Sequence, residues 1–114
     1  MDRPTLRVRT PLTDAQLNTL FAEAWPNHTD MAFGPIHERS LTWISAWRGE
    51  RLVGYVNVAT DGGVHAFLLN TTVHPVEQLH TNARGSDATS FIGDPAPLLR
   101  RNVKCHCIFR RSNL

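Results

Sequence analysis

A chain of 114 residues that is 41% hydrophobic, 8% aromatic and 19% charged has the size and make-up of a single globular domain. It leaves no room for a second independent core and does not have the composition of a disordered chain. The formal net charge of +2 is unevenly spread: residues 1–75 carry six basic against seven acidic side chains, and residues 76–114 carry six against three. Met1-Asp2-Arg3-Pro4 lacks the apolar run of a secretory signal, and the longest apolar patch, Ala66-Phe67-Leu68-Leu69, is too short for a membrane span. The two cysteines, Cys105 and Cys107, are badly placed to bridge each other within one strand, so a reducing, cytoplasmic setting is expected.

In chain order, Leu6 and Val8 alternate with Arg7 and Arg9 as a short strand does. Thr13-Asp14-Ala15-Gln16 is a capping box, in which the Thr hydroxyl and the Gln amide satisfy free amides at a helix start. Leu17, Leu20, Phe21, Ala24 and Trp25 follow at spacings of three and four, and Pro26 ends the helix. Residues His28 to Arg39, with Gly34-Pro35, read as a loop with room for one short helical turn.

From Ser40 the period becomes two. Leu41, Trp43 and Trp47 alternate with Thr42, Ile44 and Ala46, and Gly49-Glu50 suits a two-residue type II′ turn. The return strand, Arg51 to Ala59, puts Leu52, Val56 and Val58 on one side and Val53 and Tyr55 on the other. Asp61-Gly62-Gly63 makes a second turn, and Val64 to Val73 a third strand. Strands apolar on both faces imply a central sheet with helices packed on each side, an α/β fold. After Pro75 the pattern weakens: Thr81 to Pro97 reads mostly as loop, Asp94-Pro95 can open a short helix to Leu99, and Val103 to Phe109 can form a final strand.

The order strand, helix, loop, three-stranded meander, together with Leu52-Val53-Gly54-Tyr55-Val56-Asn57-Val58-Ala59 and Ala66-Phe67-Leu68-Leu69-Asn70-Thr71-Thr72-Val73-His74-Pro75, resembles the opening of GNAT-type N-acetyltransferases. The resemblance covers roughly residues 5–75. It implies one domain over 1–114 with a mixed sheet, recognisable over 1–75 and divergent, truncated or altered over 76–114. It further implies acetyl transfer from acetyl-CoA, as co-substrate, to a primary amine on a small molecule or peptide.

By that resemblance Thr71, Thr72 and Val73 contact the pantetheine arm through their backbone, where a fixed N–H can stabilise a developing oxyanion. The pyrophosphate loop of the family matches Gln78-Leu79-His80-Thr81-Asn82-Ala83: Gln78 and Ala83 fit its pattern, and Thr81 stands where it has glycine. That departure supports a rival expectation, a truncated or reading-shifted GNAT remnant that binds no acetyl-CoA. Such a remnant would expose the unpaired side of its third meander strand, and a homodimer is compatible with either reading.

The chemistry of amine acylation calls for a base, and His37, Glu38, Asp61 and His65 are candidates among which the sequence does not choose. No general acid is assigned. Cys105-His106-Cys107 with His80 is one compact cluster, not the two ligand pairs of a structural zinc site, and no metal is expected. Trp25, Trp43 and Trp47 read as core. The basic stretch Arg100 to Arg111 reads as a solvated terminus ahead of a nucleic-acid surface.

Overall fold

The computed structural model describes residues 4–77 and the strand 104–107. Its elements run β1 (Thr5–Val8), α1 (Asp14–Ala24), α2 (Gly34–Arg39), β2 (Thr42–Arg48), β3 (Arg51–Thr60), β4 (His65–Val73) and β5 (Lys104–Cys107). These strands form one sheet in sequential order, antiparallel from β1 to β4, with β5 parallel to β4. The mixed α/β sheet with its antiparallel meander is thus present, and a strand falls within the anticipated Val103–Phe109.

Helix α1 starts where its cap dictates. The Thr13 hydroxyl accepts from the Gln16 amide at 3.1 Å while the Gln16 side chain accepts from the Thr13 amide at 2.9 Å. The helix ends at Trp25, whose backbone is extended, one residue before Pro26. The loop that follows is pinned back onto α1. Asp14 Oδ1 accepts from the Phe33 amide at 3.0 Å, and the Asn18 side chain bonds His28 and both the amide and carbonyl of Met31. Those bonds deliver Phe33 into the core and start α2, the short helical turn anticipated between His28 and Arg39, with Pro35 in its first turn.

Two apolar clusters lie on opposite sides of the sheet. One joins Leu17, Leu20 and Phe21 of α1 with Phe33, Trp47, Leu52 and Tyr55, and Ile36 of α2 packs against it. The other joins Ile44, Ala46, Val53, Val56, Val58, Ala66, Leu68 and Val73. Each fully buried Leu or Phe contributes about 1.5–3 kcal/mol, so α1 is held by its three buried side chains more than by its cap. Both described helices pack on the first side. Among the described residues no helix covers the second side, and the loop and helix anticipated between Thr81 and Leu99 lie outside them.

Strict alternation misassigns several side chains, for one physical reason. Val53 sides with Val56 and Val58, and Leu52 with Tyr55, because β3 carries an extra residue: Ala46 faces Gly54 and Trp47 faces Leu52, leaving Val53 with no partner in β2. That bulge inverts the alternation for the rest of β3. Leu41 likewise packs with the Ile44 cluster and not beside Trp43, since the strand begins one residue after it. The hairpin turn is as anticipated: Gly49 has φ +61° and Glu50 does not share the positive sign, the signature of type II′.

Replacing Thr13 by Ala is expected to cost about 1 kcal/mol of unfolding free energy, read from a urea midpoint. An unchanged midpoint would show that the packing of Leu17, Leu20 and Phe21 holds α1 without its cap.

Candidate functional site

The end of β4 departs from regular strand geometry. Leu69 faces Asn57 and Thr72 faces Tyr55, so β4 takes three residue steps where β3 takes two. The extra residue is accommodated at Asn70, whose φ of +55° is left-handed, a region that Asn enters more readily than most residues. Its amide donates to Asn57 Oδ1 at 3.0 Å, Asn57 in turn reaches Ser40 Oγ at 3.3 Å, and Ser40 Oγ donates to the Ile36 carbonyl at 2.7 Å. Asn57 is buried, so these partners satisfy an amide that would otherwise be costly to desolvate. A polar chain therefore runs from the bulge across the sheet to α2.

Past the bulge the alternation is reset. Thr72 turns toward α1, where its hydroxyl accepts from Trp25 Nε1 at 2.9 Å and donates to the Asn70 carbonyl at 3.0 Å, while Val73 rejoins the second cluster. Thr71, Thr72 and Val73 are all buried, so any ligand contact they make falls to the main chain. The β5 ladder runs from His65↔Lys104 to Leu68↔Cys107 and stops there, before Asn70. The side of β4 expected to stand open in a remnant is consequently covered over His65–Leu68. Gln78 and Ala83, the other residues assigned to acyl-CoA, lie outside the described residues, as does the side-chain cluster of His80, Cys105, His106 and Cys107.

Directly after β4, His74 is buried against α1. The Val76 amide donates to its Nδ1 at 3.2 Å, and its Nε2 meets the Glu23 carboxylate. Arg51 lies 2.8 Å from the same Nε2 and 3.4 Å from Glu23 Oε2. Arg51 and Glu23 are well exposed, so their pairing is worth at most about 1 kcal/mol. The three line a cleft of about 300 Å³ beside Gln16 and Thr19. The bidentate Arg48–Glu77 pair, at 2.6 and 3.1 Å, fixes the turn beyond it.

A second cleft, of about 280 Å³, opens at the other end of the polar chain, lined by Ile36, Arg39, Ser40, Asn57, Ala59 and Leu69. The neighbouring turn of α2 carries His37, whose Nε2 is 2.8 Å from the Tyr55 hydroxyl and whose ring stacks on Trp43 at 4.0 Å. Tyr55 sits fully buried between Phe21 and Phe33, and burial raises its hydroxyl far above the ordinary tyrosine range. Burial also lowers His37, an effect opposed by the nearby Asp14 charge. At neutral pH the pair is therefore an uncharged imidazole and a protonated phenol, with Nδ1 the ring nitrogen not engaged by Tyr55.

Of the four candidate bases, His37 alone is joined to the sheet at this position. Glu38 is exposed on α2, Asp61 sits in the β3–β4 turn with its carboxyl held low by the Gly63 amide, and His65 begins β4 opposite Lys104. The residues that sequence reasoning missed are Ser40, Asn57 and Tyr55 as partners, and Asn70 as the bulge. The available signal was two asparagines inside otherwise apolar strands. Among the described residues no group of three or more His, Cys, Asp or Glu is placed to hold a metal, and no helix is long and apolar enough to cross a membrane.

Solved structures share this architecture. A GNAT-family acetyltransferase from Streptococcus pneumoniae superposes with a TM-score of 0.64 at 15% identity, covering 96% of this chain and 77% of its own. The GNAT-family N-acetyltransferase YhbS from Escherichia coli, determined in complex with CoA, gives 0.56 at 16% identity, covering 85% of this chain and 56% of its own. No family sequence model and no curated protein sequence matches the chain. At these identities the likeness establishes the fold: the chain has the GNAT acetyltransferase fold.

Because burial disfavours the charged His37 ring, the unfolded chain binds this proton more tightly than the folded one. The stability owed to the neutral ring is complete above the unfolded value of 6.5 and declines as pH falls below it. Urea midpoints measured between about pH 7.5 and pH 5 should drop more steeply for the wild type than for His37→Gln. Parallel curves would contradict the assignment of a burial-depressed imidazole.

Proposed function

We propose that the chain transfers an acetyl group from acetyl-CoA to a primary amine, with the acyl arm lying along the end of β4. The observation that carries this reading is the Asn70 bulge, placed just beyond the last residue of β4 that pairs with β5. Bound acetyl-CoA would supply a thioester whose acyl carbon accepts the amine. The main chain of Thr71, Thr72 and Val73 would hold the arm and stabilise negative charge growing on the acyl oxygen. Such a donor is useful only if it is fixed beforehand. The Trp25–Thr72 bond and the His74 amide bond to the Val53 carbonyl, at 2.8 Å, supply that rigidity.

His37 is the base in this account. With its Nε2–H donating to the Tyr55 oxygen and its ring stacked on Trp43, the neutral ring would take at Nδ1 the proton that the attacking ammonium must lose. Gln78 and Ala83 are assigned to the pyrophosphate by the family pattern, where main-chain amides would serve as donors. A second reading, a GNAT scaffold that holds no acyl-CoA, is favoured by Thr81 at the glycine position of that pattern.

Calorimetric titration of the folded protein with acetyl-CoA separates the two. Saturable binding is expected, followed by thiol release with a primary amine, and His37→Gln should lower kcat/KM by about a hundredfold without changing acetyl-CoA affinity. No binding at millimolar cofactor would sink the transferase reading and leave the scaffold.

A further inference from the structure

The 280 Å³ cleft over Asn57 has a chemical character that narrows the acceptor. Its volume lies just under the roughly 300–1,000 Å³ range of drug-sized ligand sites, which suits a small molecule. Ile36, Ala59 and Leu69 give it apolar walls, and Ser40 and Asn57 give it a neutral polar floor already braced by hydrogen bonds. Among the described residues no carboxylate lines it. A polyamine or other polycation would find nothing there to balance its second charge.

The single charged residue among the described lining is Arg39. It is exposed in the last turn of α2 and makes no ion pair with a carboxylate among the described residues. A cation there favours the carbonyl end of the turn, and that role leaves its guanidinium fork open to a ligand carboxylate. An apolar wall, a neutral floor and one fork at the rim fit a molecule that carries an apolar side chain and a carboxylate as well as its amine.

We infer that the acceptor is a free amino acid with an apolar side chain, its carboxylate on Arg39 and its side chain against Ile36, Ala59 and Leu69. This inference rests on the transferase reading for the fate of the amine, but the binding it predicts does not require acyl-CoA. The test is therefore a titration of the protein alone, followed by NMR, with three probes: L-leucine, L-leucinamide and spermidine. Leucine should bind, shifting the amides of Ile36, Ser40, Asn57 and Leu69. Leucinamide, which lacks the carboxylate, and spermidine should each bind about tenfold more weakly.

Arg39→Gln should abolish the preference for leucine over leucinamide, and Arg39→Lys should restore part of it. Position 39 is exposed, so both variants are expected to fold, as circular dichroism would verify. Equal or tighter binding of leucinamide or spermidine would overturn the inference. So would a leucine response located away from this cleft, or no response to leucine from a protein that binds acetyl-CoA. Leucine binding here by a protein that fails to bind acetyl-CoA would uphold the cleft assignment while removing the transferase reading.

Discussion

Asn70 holds a left-handed backbone angle in the middle of a strand, and much of the candidate site depends on that one residue. A non-glycine residue in this region costs about 1–2 kcal/mol, less for Asn than for most, and the hydrogen bond from its amide to Asn57 returns about 1 kcal/mol. The angle lets β4 absorb one more residue than β3. Alternation is reset beyond it, so that Thr72 reaches α1 while Val73 returns to the opposite core. Without the extra residue, Thr72 would point into the Ile44–Val58 cluster and Trp25 would lose its acceptor.

Helix α1 works as the clamp for this irregular strand end. It is anchored by Leu17, Leu20 and Phe21, capped by Thr13, and tied to β4 at Trp25–Thr72 and to the residue after β4 at Glu23–His74. The loop after it is bonded back to Asp14 and Asn18, which sets α2 over β3 and brings His37 onto Tyr55. Two clefts result, one beside each tie between helices and sheet. The first is crossed by the Glu23–His74–Arg51 cluster; the second carries neutral polar groups on its floor and one cation at its rim.

The parts of the fold set by local chemistry are legible in the sequence. The Thr13–Gln16 box, the stop at Pro26, the type II′ turn at Gly49 and the order of the meander depend on residues within a few positions of one another. Bulges are different. Whether Val53 or Asn70 is the extra residue depends on the register against a neighbouring strand, which no single segment encodes, so the faces of Leu52 and Val53 were exchanged. The same holds for the site. Thr71 to Val73 were named through a family resemblance, whereas the Asn70–Asn57–Ser40 chain and the His37–Tyr55 pair join residues 13 to 18 positions apart. Their link is the sheet itself.

The central claim is that the main chain following the Asn70 bulge is an acyl-CoA edge. Amide NMR of the folded protein during an acetyl-CoA titration tests it most directly. The account predicts saturable shifts concentrated on the amides of Asn70, Thr71, Thr72 and Val73, with His65 to Leu68 little affected. Saturable shifts elsewhere that leave residues 70–73 untouched, or no shifts at millimolar cofactor, would contradict it.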